Sequence, residues 1–275
     1  MPLSSVMHTH TASDGLKLSY AVDDYSDPWR PQETVFLLHA AMGSSRRLYK
    51  WVPILSRQFR VVRPDMRGHG QTGIPGPDQL TVARLAKDVV ELADALGCKQ
   101  FHVAGSSAGA IVAMQVAIDY PERVKTLGDF ASTPGLKNSL VDAEGWIAGI
   151  KARGFQGFLE DTIGDRLPKG ADESFKRWFI SESARTDPEL FYRFVRMMKA
   201  CDLTSRLNEI RCPTLAVIPH PDPLGTPAQY AVVRDKIRGC EYVIYENLPH
   251  NITDSVPEKC ANELKRFLLK HCPAV

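Results

Sequence analysis

Phe101-His-Val-Ala-Gly105-Ser106-Ser107-Ala108-Gly109-Ala110-Ile-Val-Ala-Met-Gln-Val116 is the stretch on which the fold turns. Its first four residues read as a buried strand and the run from Ala110 as a helix, with a cluster too small for anything but a sharp turn between them. A serine at the centre of G-x-S-x-G, set between strand and helix, is a nucleophile elbow. The small flanking residues let the backbone fold tightly and leave the central hydroxyl bare. Ser106 sits beside it, but the spacing selects Ser107 as the nucleophile. The helix that follows would aim its N-terminal amides and positive dipole at a developing oxyanion.

Working outward, the same alternation of strand and helix recurs. Residues 16–22 alternate, whereas 34–38 and 59–63 are continuous apolar runs of the kind covered on both faces. Val82, Leu85, Val89, Leu92 and Leu96 stand at helical spacing before Gly97, and a strand is expected at 124–128. The rhythm returns with strands at 214–218 and 242–245 and helices at 227–237 and 257–270. Strand–helix–strand repetition at this pitch predicts a mostly parallel sheet flanked by helices. Residues 135–205 interrupt it with a helical, aromatic-rich segment, expected to form a cap inserted into a core built from residues 1–134 and 206–275.

Composition narrows the function. The chain has 275 residues, 44% hydrophobic and 24% charged, with 34 Lys and Arg against 32 Asp and Glu. A net charge of +2 argues against nucleic-acid binding, which needs a basic excess on one face. No apolar run approaches the ~18–20 residues of a membrane span, and residues 1–14 lack the basic and apolar regions of a secretory signal. The six cysteines are scattered, without C-x-x-C pairs or metal-ligand spacing, which suits a reducing, cytoplasmic setting. Neither a Walker A loop nor G-x-G-x-x-G is present, so no cofactor or metal is expected.

A serine nucleophile needs a base and an acid to hold that base. His250, in the loop after the expected strand at 242–245, is the candidate base. Two acids compete: Asp222 in Ile218-Pro-His-Pro-Asp222-Pro and Asp129 at the end of the strand at 124–128. Asp222 is favoured because the later position is commoner and its prolines stiffen the loop; Asp129 stays open as the alternative. The backbone amides of Ala41 and Ala108 are the expected oxyanion donors. His39, Met42, Ser106, Trp146, Trp178 and His220 are candidates for the substrate pocket, whereas His69 and His102 read as structural.

The chain resembles the α/β-hydrolase superfamily, and within it the 3-oxoadipate enol-lactonase-like branch of esterases and lactonases. The likeness rests on His39-Ala40-Ala41, Arg67-Gly68-His69-Gly70, Gly105 to Gly109, Tyr120-Pro121-Glu122-Arg123-Val124, Cys212-Pro213-Thr214 and Pro249-His250. It departs where Ala40 replaces a glycine of the oxyanion loop, and where Ser106 and Ala108 stand in place of leucine and methionine. The resemblance implies an eight-stranded α/β-hydrolase core and hydrolysis of an ester or lactone through an acyl-enzyme. Arg153, Arg177 and Arg185, with the cap's aromatic residues, hint at a cyclic or aromatic substrate with an acidic group. A C–C bond or amide hydrolase and a cofactor-free oxygenase remain rivals on the same fold, with a small-molecule receptor further off. The oligomeric state is open, a homodimer being one option.

Overall fold

The central strands carry no polar alternation because helices cover both faces of the sheet they form. The computed structural model describes residues 6–272; the few residues of the expected core at 1–5 and 273–275 lie outside them. The elements in chain order are β1 (Met7–Thr11), β2 (Lys17–Asp23), β3 (Glu33–Leu38), α1 (Val52–Leu55), β4 (Phe59–Pro64), α2 (Val82–Ala95), β5 (Phe101–Ser106) and α3 (Ala108–Asp119). There follow β6 (Val124–Phe130), α4 (Ala143–Asp161), α5 (Glu173–Ser183), α6 (Pro188–Ala200), β7 (Thr214–His220), α7 (Pro227–Lys236), β8 (Glu241–Glu246), α8 (Ile252–Ser255) and α9 (Pro257–His271).

The eight strands form one sheet in the order β1-β2-β4-β3-β5-β6-β7-β8. The β1–β2 and β2–β4 pairs are antiparallel and all others parallel, so the crossover helices pack on the two faces. One face of the sheet packs on α2, α3 and α7 through Phe36, Val103, Leu85, Val89, Ile111 and Val233. The other packs on α1 and α9 through Val35, Leu37, Val61, Leu264 and Phe267. Strand β1 is the element the sequence reading does not anticipate. Met-His-Thr-His-Thr has no apolar run; the strand is held at the sheet edge by backbone pairing with β2, from Met7 opposite Ala21 to Thr11 opposite Lys17.

Between β6 and β7 the chain leaves the sheet for α4, α5 and α6. Each begins on an aspartate whose carboxylate accepts an amide of the first turn: Asp142 from Gly145, Asp172 from Phe175, and Asp187 from Leu190. Helix α6 is apolar on two sides. Leu190, Phe194 and Met198 join the cluster under the sheet, while Phe191 and Val195 meet Ile147, Ile150, Phe155 and Phe158 of α4. That double burial seats the helical segment over the carboxyl ends of the strands, and the space beneath it is the cavity described next.

Candidate active site

The chain turns from β5 into α3 through Ser107, whose φ of 51° and ψ of −117° lie outside the regions favoured by L-residues. The glycines on either side are demanded by contact. A Cβ on Gly105 would lie 2.2 Å from the carbonyl carbon of Gly109, and one on Gly109 would lie 2.5 Å from the Leu38 carbonyl oxygen. The turn is pinned by the Ser107 amide, which donates to the Phe130 carbonyl at 2.8 Å.

His250, in the loop between β8 and α8, reaches Ser107 from 143 positions away along the chain: Nε2 stands 2.8 Å from Ser107 Oγ. Its Nδ1 is 2.7 Å from Asp222 Oδ2. An ionised carboxylate can only accept, so Nδ1 carries the proton and Nε2 is left to accept from the serine hydroxyl. Asp222 also accepts from the Leu224 amide at 2.8 Å and from the Tyr230 hydroxyl. Burial alone would raise the Asp222 carboxyl, but the charge of His250 and the hydrogen bonds from His250, Tyr230 and Leu224 outweigh it and hold it below its ordinary value. Tyr230 was missed in the sequence reading. No motif marks it; only the fold shows it, with Gly225 leaving room for the ring, which a Cβ there would meet at 2.8 Å.

Asp129 lies elsewhere. It sits inside β6, in register with Gly105 and Ala216, not in a loop facing the imidazole. It is fully buried and neither carboxylate oxygen has a hydrogen-bond partner. Burial therefore drives its pKa well above the usual carboxylate range, against an opposing pull from the Ser132 amide. Asp129 is thus a buried carboxyl within the sheet, apart from the His250 loop.

Ser107 and His250 open into a cavity of about 740 Å³, its solvent-filled mouth included. Ala41, Met42, Ala108 and Trp146 line it. Four other pocket candidates do not, and each has a physical reason. His39 is buried, with Nδ1 2.8 Å from the Ala40 carbonyl and Nε2 accepting the Met66 amide at 2.9 Å. Burial, against a small opposing effect of the Ala40 carbonyl, lowers its pKa to about 4. Ser106 points the other way and hydrogen-bonds Thr253 Oγ1 at 2.8 Å. Trp178 packs outside the cavity against Tyr49 and Phe175. His220 is exposed at the end of β7. His69, read as structural, is buried between His39 and Phe194.

The three arginines named from sequence are also absent from the cavity. Arg153 pairs with Asp161 and Arg185 with Glu182, both with half or more of the side chain exposed, and Arg177 is exposed. Two other arginines line the wall instead, Arg47 and Arg166. Arg47 is neutralised by a bidentate pair with Asp254 at 2.8 and 2.6 Å, and its guanidinium lies 4.3 Å from the centre of the Phe179 ring.

One group among the described residues has the side chains of a metal site: Glu33, His102 and Cys272, at the opposite end of the strands from Ser107. Cys272 Sγ is 3.1 Å from His102 Nε2, whose other nitrogen is 2.8 Å from Thr126 Oγ1. Lys125 also pairs with Glu33, and the contact between Cys272 and His102 ties the end of α9 to the sheet.

This strand–elbow–helix architecture defines an α/β hydrolase. The model of the alpha/beta hydrolase fold family matches residues 33–185, more than half of the chain, and the protein belongs to that family. Over 257 residues, 87% of this chain and 94% of the other, it is 26% identical to RutD of Rhizobium rhizogenes, provisionally named a carbamate hydrolase. A hydrolase of known structure from Pseudomonas aeruginosa superposes with a TM-score of 0.84 at 25% identity, covering 96% of this chain and 99% of that one. The enol-lactonase of Burkholderia xenovorans shares the fold, with a TM-score of 0.85 at 21% identity over 95% of this chain and 99% of that one. The protein is a hydrolase. No helix among its described residues is long and apolar enough to cross a membrane.

Proposed function

We propose that the protein hydrolyses a carboxylic ester or lactone through an acyl-enzyme on Ser107, with His250 as general base and Asp222 as the acid that orients it. One observation carries this reading: the unbroken line from Asp222 Oδ2 through the His250 ring to Ser107 Oγ, at 2.7 and 2.8 Å. Ser107 Oγ adds to the substrate carbonyl as its proton passes to Nε2. The imidazolium then protonates the leaving oxygen, and His250 activates the water that cleaves the acyl-enzyme. Asp222 keeps the productive tautomer and stabilises the imidazolium. The amides of Ala41 and Ala108 would hold the oxyanion; Ala108 opens α3, where a helix leaves its first N–H groups without internal partners. Residues 135–205 serve as the cap over the substrate cavity, which Trp146, Phe179 and Phe191 line. The substrate is a small molecule. The cytoplasm is the proposed site of action, supported by six free cysteines.

A second reading has support of its own. The likeness to RutD, along nearly its whole length, favours a carbamate as the acyl donor. The same nucleophile and base would serve, with nitrogen as the leaving atom.

A panel of p-nitrophenyl esters, lactones and carbamates assayed against wild type and Ser107→Ala tests both. The expectation is a clear order among the three classes and a fall in kcat of about a millionfold on loss of the hydroxyl. Turnover of the preferred class by Ser107→Ala near the wild-type rate would remove the nucleophile assignment.

A further inference from the structure

Arg166 lies just beyond the short helical turn Ile163–Asp165 and is 5% exposed. Its Nη1 donates to the Thr162 carbonyl at 2.9 Å and to Thr162 Oγ1 at 2.7 Å, but Nη2 has no partner. Among the described residues no carboxylate lies within ion-pair distance of it, and the nearby Asp165 is exposed. The guanidinium is boxed in by aromatic faces, with Cζ 5.5 Å from the Trp146 ring centre and 5.4 Å from that of Phe158. Burial pulls its pKa down to about 10, against a small opposing effect of Asp165, which still leaves it cationic near neutral pH. Ser183 lines the same cavity, fully buried, and its hydroxyl too lacks a partner. The other wall arginine, Arg47, spends its charge on Asp254.

A cation withdrawn from water normally has a counter-charge, and an unsatisfied buried polar group calls for an explanation. Here two unsatisfied groups, one of them charged, line the cavity that holds the Ser107 hydroxyl. The backbone keeps Arg166 close to the reaction: the His250 amide donates to the Asp165 carbonyl at 3.2 Å and the Asn251 amide to the Arg166 carbonyl at 3.1 Å. We propose that Arg166 and Ser183 form an anion subsite, so that the preferred substrate carries a carboxylate on its acyl part, as in a half-ester of a dicarboxylic acid. The planar guanidinium fork suits a carboxylate, and the serine hydroxyl supplies a further donor. Binding energy from this remote group would be used to orient the scissile carbonyl over Ser107. The inference rests on the proposed Ser107 chemistry for turnover, though not for binding.

The test compares the mono-p-nitrophenyl esters of succinate and glutarate with the neutral p-nitrophenyl butyrate and pentanoate. Wild type should favour a half-ester over its neutral partner by tenfold or more in kcat/KM, on the order of one charge-assisted hydrogen bond. Arg166→Gln should bring that ratio close to one, with a loss in kcat as well as a rise in KM; Arg166→Lys should keep part of it, and Ser183→Ala should lower it less. Separately, calorimetry on Ser107→Ala should detect binding of free glutarate that the Ser107→Ala/Arg166→Gln protein lacks. A wild-type ratio at or below one, a ratio unmoved by Arg166→Gln, or glutarate binding indifferent to Arg166 would each overturn the proposal. If Arg166→Gln does not fold by circular dichroism, the wild-type ratio and the Ser183→Ala variant decide. Persistent hydrolysis by Ser107→Ala would fault the nucleophile alone, since the glutarate measurement involves no chemistry.

Discussion

At the residue scale the two aspartates that compete in the sequence are separated by their surroundings. Asp222 meets three donors, which hold its pKa below the ordinary carboxylate value; Asp129 has no hydrogen-bond partner, and burial pushes its pKa up. Asp222→Asn should lower kcat by about ten-thousandfold, because the imidazole loses the partner that fixes its tautomer. Asp129→Asn should lower it far less, and the reverse ranking in steady-state kinetics would move the acid to β6. Asp129 has a second consequence. Its folded pKa is raised, so between its unfolded value and the folded one the unfolded chain binds fewer protons, and stability falls as pH rises. Asparagine does not ionise. Relative to wild type, Asp129→Asn should therefore gain stability in urea titrations as pH rises from about 4 to about 8. A constant difference across that range would mean Asp129 titrates alike in both states.

At the element scale the elbow is a packing problem solved by absent side chains. Gly109 lets α3 approach the carbonyls of Leu38 and His39, which a Cβ would meet at 2.5 and 2.6 Å. The obstacle is backbone of β3 and its loop, and it cannot swing aside. Gly109→Ala should thus cost at least ~3 kcal/mol, the upper end of overpacking, and should lower activity in the fraction that folds. A urea midpoint within experimental error of wild type would show that the strand end yields more easily than its contacts imply. Elements legible in the sequence share one property: each buries a continuous or periodic apolar set, as β3, β5 and α2 do. Strand β1 was not legible because its order comes from β2's backbone, to which side-chain patterning is blind. The site divides in the same way. Ser107 follows from local spacing and His250 from its place after the last strand, but Tyr230 and Arg166 follow only from what the folded chain puts beside them.

For the whole molecule, the wall of the cavity is tied together across the chain. Arg47, before α1, holds Asp254 of α8 in a buried pair and lies against Phe179 of α5. Three distant segments thus meet at one guanidinium. Asp254→Ala would leave that charge buried without a partner, and removing one member of such a pair costs about 3–5 kcal/mol. Equilibrium urea unfolding should register that loss; a change under ~1 kcal/mol would mean that Arg47 finds water or another acceptor in the cavity.

What the sequence determined by itself was everything set by near neighbours along the chain: the strand–turn–helix at Ser107, the helices started by Asp142, Asp172 and Asp187, and the alternation that yields a parallel sheet. What only the tertiary structure decided was the state and company of each charge. Asp222 and Asp129 are the same residue type at the carboxyl ends of adjacent strands, and Arg153 and Arg166 the same type thirteen positions apart in the helical segment. Ionisation depends on how much water has been removed and which dipoles have replaced it, and both are set by segments that only the fold brings together, such as Tyr230 and His250 around Asp222 and β5 and β7 around Asp129.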